Sequence, residues 1–192
     1  AFLAVGQNDR AKIIADAFVF AQDHDRDYSD GRLRNAYSSG ELIAPPGWFP
    51  NGKTNVVKLS GWWEFTNTNM TGLWYEDRFA VSTHAGNMAW VMIALLTYYQ
   101  KMGGPAYLNA AKRLGDWIHD NLNDTVGNGG YTGGYEGWTN TTDYAKKTWK
   151  STEHNLDLFA AFTRLYNITG ESKWLTRANI ASNFVMYCWI SN

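Results

Sequence analysis

The chain has 192 residues, a length that suits one domain, and 45% of them are hydrophobic, enough for a real core. Its 17 Lys+Arg and 18 Asp+Glu nearly cancel, so no field of one sign draws in nucleic acid or an anionic membrane. The longest apolar region, Met88 to Leu96, is too short to span a bilayer, and Cys188, the single cysteine, excludes an internal disulfide or a multi-cysteine zinc site.

The first residues, Ala1 to Val5, lack the basic lead-in and cleavage site of a signal peptide, and there is no leading methionine, as expected of a chain that starts inside a longer protein. A helix is predicted from about Asp9 to Gln22, with Ile13, Ile14, Ala17, Phe18 and Ala21 along one side. A second, from about Ala85 to Met102, is apolar nearly all round and is expected to be deeply buried. Gly103-Gly104 stops it, and Pro105 suits the first turn of a third helix ending near Leu122. That helix is amphipathic, with Tyr107, Leu108, Ala111, Leu114 and Ile118 facing in. A fourth runs from about Glu153 to Ile168 and stops at Gly170; a fifth runs from about Ser172 to Trp189. The fold class is therefore all-α.

Two of these hairpins repeat. At one constant offset Ala94 falls on Ala161, Tyr99 on Tyr166, Gly103 on Gly170, Leu108 on Leu175 and Ala111 on Ala178. Each unit reads as a buried helix, a tight glycine turn and a more polar helix. The first helix echoes the polar member: Ala11-Lys12 and Asp16 match Ala111-Lys112 and Asp116. Its inner partner would precede Ala1, with Phe2 to Gly6 as that partner's tail. The expected organisation is one domain over 1–192: half a hairpin at 1–24 and full hairpins at about 85–122 and 153–190.

The connections alternate in length. Inner-to-outer turns are short, whereas outer-to-inner ones are long, about Asp23 to His84 and Asn123 to Thr152. In a ring of hairpins the long loops share one rim, where function concentrates. Val56 to Leu59 and Gly61 to Phe65 read as short strands within the first loop. The aromatic content, 16% with Trp at 10 and Tyr at 11, suits the apolar faces and hydroxyl edges of sugars, although most such rings would fill the core.

Four stretches, Asp30 to Tyr37, Gly86 to Trp90, Gly133 to Gly137 and Ser151 to Asp157, together resemble a bacterial family of six-hairpin toroid proteins related to the six-hairpin glycosidases. The resemblance covers nearly the whole chain in order. It implies an incomplete (α/α) toroid, a carbohydrate partner and, more weakly, an extracytoplasmic or periplasmic setting. A full toroid has six hairpins, so the chain would supply under half, and self-association through an uncovered flank is expected.

Inverting glycosidases need two carboxyl groups roughly 6.5–9.5 Å apart. Glu153 opens an inner helix at the rim, and the helix dipole favours its ionised form, which suits a base. Asp157 lies one turn on along the same face. Asp77, after Leu73-Trp74-Tyr75-Glu76, is a rim carboxylate beside aromatics and a partner for Glu153. These three are the catalytic candidates, each also readable as a structural or solvated charge. His154 and His84, at matching helix entrances, could orient a carboxylate or bind a sugar hydroxyl; Trp74, Tyr135, Glu136 and Trp138 complete a sugar-binding set. Gly130 to Trp138 reads equally as a groove lining or a tight surface turn. Arg32 and Arg34 are expected to pin their loop by salt bridges.

The run Asp23-His24-Asp25-Arg26-Asp27 fails as an EF-hand, with Tyr28 in sixth place and Arg34 in twelfth. No HExxH, phosphate loop or dinucleotide pattern appears, and no cofactor or metal is expected. Asn140-Thr141-Thr142 matches a glycosylation triplet of a kind common by chance. The leading expectation is a glycoside hydrolase-like protein acting on an oligo- or polysaccharide; the alternative is a non-catalytic helical-repeat module binding glycan or protein. A zinc-dependent lanthionine cyclase is opposed by the single cysteine, and a terpene cyclase finds no DDxxD or DxDD.

Overall fold

The computed structural model describes residues 1–38, 57–65 and 72–190, the side chains of 63–65 and 72–74 excepted. After a 3-10 turn at Phe2–Val5 comes α1 (Asn8–Asp23). Then follow β1 (Gly61–Phe65), β2 (Gly72–Glu76), the single turn α2 (Arg78–Val81) and β3 (Thr83–His84). The remainder is α3 (Ala85–Met102), α4 (Pro105–Leu122), β4 (Gly134–Glu136), β5 (Ala145–Lys147), α5 (Thr152–Thr169) and α6 (Ser172–Ile190).

The long helices are hairpins for the reasons their sequence gives. Gly170 takes the left-handed conformation (φ 70°) that closes α5, and its N–H bonds back to the Tyr166 carbonyl at 2.8 Å. Pro105 fills the first turn of α4, where a missing N–H costs nothing. α3 packs on α4, α5 on α6, and α3 on α5, while α1 packs against both α3 and α4. The core lies between them: Met88, Met92 and Leu96 of α3, Leu114 and Ile118 of α4, Leu158 and Phe162 of α5, and Trp174 of α6 are all fully buried.

Two expectations need correction. Ile13 and Ile14 do not face the core: they are exposed, and α1 buries Ala15, Ala21 and Gln22 instead. Phe18, Val19 and Phe20 pack half-buried against the core, and Ile13 borders a cleft of about 850 Å³ lined also by Tyr37, Met88 and Val91. Nor is α3 covered all round, because Trp90 is 59% exposed. Tyr107 and Leu108 of α4 do face in, half-buried against the core.

The strands sit at the long-loop end. β1 and β2 form an antiparallel hairpin with Trp62 opposite Tyr75. β3, β4 and β5 form a three-stranded antiparallel sheet that pairs His84 with Gly134 and Gly134 with Lys147. Leu59 bridges Tyr37; Val56 lies outside the described residues. Gly130 to Gly134 are buried, so this stretch is an interior segment leading into β4 and not an exposed surface turn.

Arg34 anchors the first long loop. Its guanidinium is bidentate to Asp25 (2.6 and 2.9 Å), reaches Asp27 at 2.8 Å and donates to the Val81 carbonyl at 3.0 Å. Burial opposes this charge, yet the Asp25 and Asp27 carboxylates hold its pKa above the ordinary arginine value. Arg26 grips buried Glu76 at 2.5 and 2.6 Å. Arg32 pairs with Asp30 and lies over the Tyr28 ring at 3.7 Å. The arginines thus pin the loop by salt bridges, as the sequence suggested. No helix among the described residues is long and apolar enough to cross a membrane.

Candidate functional site

The starts of α3 and α5 meet at one end of the molecule. β3 runs directly into α3, so His84 stands at its entrance. The His84 N–H donates to Asn35 Oδ1 at 2.8 Å, while Asn35 Nδ2 donates to the Phe79 carbonyl at 2.9 Å. At the start of α5, Ser151 caps the helix by accepting from the His154 N–H at 3.2 Å. Asn155 is fully buried and clamps the Tyr131 backbone from both sides, accepting from its N–H at 2.8 Å and donating to its carbonyl at 3.0 Å.

Two glycines bring the rings together. A Cβ on Gly86 would lie 2.4 Å from His154 Cδ2, so the imidazole rests directly on the α3 backbone. A Cβ on Gly133 would lie 2.5 Å from the Trp149 ring, and the Gly133 backbone bonds both Trp149 (2.8 Å) and Ala85 (3.0 Å). Trp149, 44% exposed, consequently forms a common wall: its ring centre is 6.1 Å from that of His84 and 5.4 Å from that of His154. Phe79 meets the other edge of His84 at 5.4 Å.

Burial pushes the pKa of both histidines below the ordinary value, for His84 against the pull of Glu136 and for His154 against Glu153 and Asp157. Both imidazoles are therefore neutral near pH 7. His154 Nδ1 is buried without a hydrogen-bond partner. His84 Nε2 is 3.3 Å from Glu136 Oε1 but misaligned for a hydrogen bond.

The carboxylates divide into two kinds. Glu136 is opposed by burial but held low by Lys147 (3.0 Å), Arg78 (3.3 Å) and His84, so it is ionised. Asp157 is pushed the other way: burial first, then the Glu153 charge one turn away, raise its pKa, with a smaller opposing contribution from the Trp90 indole. Its Oδ2 is buried and unpartnered. Glu153 is exposed in the first turn of α5.

Among the expected residues, Glu153, His154, Asp157, His84 and Glu136 gather at this end. Asp77 occupies the neighbouring turn, where its carboxylate caps α2 by accepting from the Ala80 N–H at 2.8 Å. Trp138 spends its indole N–H on the Glu76 carbonyl at 2.8 Å. Tyr135 alternates to the opposite strand face from Glu136 and stacks on Tyr144 at 5.3 Å, in a cluster with Trp117 and Arg32. Trp74 lies in β2 opposite Trp63, and its side chain is outside the described residues.

Reading the sequence missed Trp149, Trp90, Asn35 and Asn155. The two asparagines sit inside the stretches that carry the family resemblance, which was the available signal. Nothing local marks Trp149, because what places it is a glycine far away in the chain.

No protein-family model matches the chain, and no curated protein matches it. Solved structures do. A glycoside hydrolase family 76 mannosidase from Bacteroides thetaiotaomicron superposes with a TM-score of 0.50 at 19% identity, covering 64% of this chain and 33% of that one. A family 76 α-mannanase from the same organism gives 0.47 at 22%, covering 53% and 27%. A sugar epimerase from a ruminal bacterium gives 0.43 at 24%, covering 57% and 29%. The chain thus spans 33% or less of the length of each of these three structures. With its paired helices and glycine turns, the chain carries part of the six-hairpin (α/α) toroid fold.

Proposed function

We propose that this chain is one partial toroid domain of a glycoside hydrolase-like protein that acts on an oligo- or polysaccharide. The reading rests on one observation. Asp157 carries a buried, unpartnered carboxyl oxygen and a raised pKa, one helical turn from the exposed carboxylate of Glu153. Glycoside cleavage needs one carboxyl that keeps its proton and another that does not, and environments that push two carboxyls apart supply that difference. Asp157 is the proton donor to the leaving oxygen. Glu153, whose charge one turn away adds to the raised pKa of Asp157, activates water. Residues one turn apart have Cβ atoms about 5–6 Å from each other, within reach of a single glycosidic bond.

The other groups suit a sugar. The neutral imidazoles of His84 and His154 each offer one donor and one acceptor to hydroxyls. Trp90 and Trp149 are exposed aromatic side chains near the α5 start, the first beside Asp157 and the second beside His154. Asp77 is a weaker catalytic candidate than Asp157, since α2 already uses its carboxylate. A mannosidase among the structures of like fold makes a mannan the first substrate to try.

The test is release of reducing ends from soluble mannan by the full chain and by Glu153→Gln and Asp157→Asn. Loss of about a hundredfold or more in each variant is expected, the scale of removing a general acid or base. Equal turnover by wild type and Glu153→Gln removes Glu153 from the mechanism. Binding of mannan without any turnover favours the non-catalytic glycan-binding module.

A further inference from the structure

The segment that carries α4 into β4 makes a tip that neither the core nor the rim carboxylates use. Its base is closed by backbone bonds: the Thr132 N–H donates to the Leu122 carbonyl at 2.9 Å, the Asp124 N–H donates to the Gly130 carbonyl at 2.9 Å, and Asn123 bridges Tyr131. Beyond that closure residues 125–128 are exposed. Asn128 stands directly before Gly129, and the glycines on either side of it take left-handed conformations, φ 63° at Gly127 and 68° at Gly129. A Cβ built on Gly127 would meet nothing within 4 Å, so the tip is not packed on a neighbour there. Neither the Asn128 side-chain amide nor the Gly129 N–H has a hydrogen-bond partner among the described residues.

Asparagine is among the thermolabile side chains. Its amide carbon is open to attack by the backbone nitrogen that follows, and a glycine in that place has no side chain to block the approach. At Asn128 both reacting groups are free of competing bonds and in solvent. The cleft that Asn128 helps to line also holds Lys146 and Lys150, so a carboxylate formed here meets cations. The other Asn-Gly pair of the chain, Asn51-Gly52, lies outside the described residues. Just behind the tip, a Cβ on Gly130 would lie 2.8 Å from the Phe184 side chain, and Asn155 clamps Tyr131, so a change of backbone length at Asn128 pulls on a segment with no slack.

We propose that Asn128 is a self-modification site, which converts without an enzyme to aspartate and isoaspartate and in the second form loosens the segment leading into β4. The Gly129 nitrogen attacks Asn128 Cγ. A Cγ–N bond forms, the Cγ–Nδ2 bond breaks, and Nδ2 leaves as ammonia with the proton that Gly129 gives up. Water then opens the cyclic imide. Hydrolysis of the new Cγ–N bond gives aspartate; hydrolysis of the original peptide bond gives isoaspartate, with one extra methylene in the main chain. The site does not depend on Glu153 or Asp157 being catalytic. The test incubates the full chain at mildly alkaline pH, folded and unfolded in urea, then digests it and weighs the peptide that holds Asn128. The folded chain is expected to lose this amide at a rate within about threefold of the unfolded chain, because an exposed tip opens at almost no cost. Isoaspartate is counted by methylation with an isoaspartyl methyltransferase. Asn128→Gln is expected to abolish the methyl acceptor in that peptide, and Gly129→Ala to slow its appearance about tenfold. An intact Asn128 in the folded chain after the unfolded chain has converted overturns the proposal, as does conversion in neither. The isoaspartyl form is expected to melt below Asn128→Asp, which bears the same charge on an unlengthened backbone; equal melting overturns the loosening.

Discussion

Burial disfavours charge whatever its sign, so it raises the pKa of Asp157 and lowers those of His84 and His154. The consequences for stability run in opposite directions with pH. For Asp157 the folded state binds its proton more tightly than the unfolded one, so stability falls as pH rises from the ordinary value of 3.8 through the raised one. Asp157→Asn is therefore expected to melt at a higher temperature than wild type at neutral pH, and at the same temperature in acid well below that value. Thermal melts followed across that range check both arms. For each histidine the unfolded state binds the proton more tightly, so stability falls as pH drops below the ordinary value of 6.5. His154→Gln is expected to flatten that acid limb. Gly86 makes a further prediction. A methyl group there meets the His154 ring at 2.4 Å, so Gly86→Ala must turn the imidazole out, at a cost of about 1–3 kcal/mol. The displaced ring is visible as a shift in the His154 NMR resonances.

At the scale of elements, the long loops are held by polar groups rather than by a core of their own. Asn155 is the tie between α5 and the glycine-rich segment, with bonds to Tyr131 N–H, the Tyr131 carbonyl and the Ser151 carbonyl. Asn155→Ala leaves the buried Tyr131 N–H and carbonyl unpaired, while the Ser151 carbonyl keeps the backbone N–H of residue 155, and the change is expected to cost about 3 kcal/mol. For a domain of this size that lowers Tm by roughly 6–12 °C. Arg34 does the same for the first loop. With its side chain and that of Asp25 each 1% exposed, removing one partner strands the other. Arg34→Ala is expected to cost about 3–5 kcal/mol, with Asp25→Ala close behind and the double variant less than their sum, measured by chemical denaturation.

Across the whole molecule the hairpins are joined by two kinds of contact with different weights. α3 meets α5 through fully buried side chains. α4 meets the α5–α6 unit through Gly115, on which Trp174 and Phe162 pack, and also through ions: Asp116 with Lys173 at 2.9 Å and with Arg177 at 2.5 Å, and Lys112 with Glu171. The Lys173–Asp116 pair is exposed and screened by water, so Lys173→Gln is expected to change stability by less than about 1 kcal/mol, with a smaller effect at high salt. Phe162→Ala empties the space beside Trp174, whose ring stacks on it at 6.0 Å, and is expected to cost about 3–5 kcal/mol.

The sequence alone settled the helices and their pairing, because that information is local. Apolar spacing, Pro105 and the glycines at the turns fix where α3, α4, α5 and α6 begin and end, and the repeat of one hairpin in the next shows that they are alike. It also had the long connections emerging together, and β3, β4 and the starts of α3 and α5 do meet at one end. It misjudged Ile13 and Ile14, because a helical stripe shows that a face is apolar but not that a neighbour covers it. It could not see Trp149, which depends on the missing side chain of Gly133, or the cap that Asp77 places on α2. Only the tertiary structure decided how the carboxyls differ: burial raises Asp157 while Lys147 and Arg78 hold Glu136 low, through groups brought together from separate helices and loops, and distance in the chain says nothing about them.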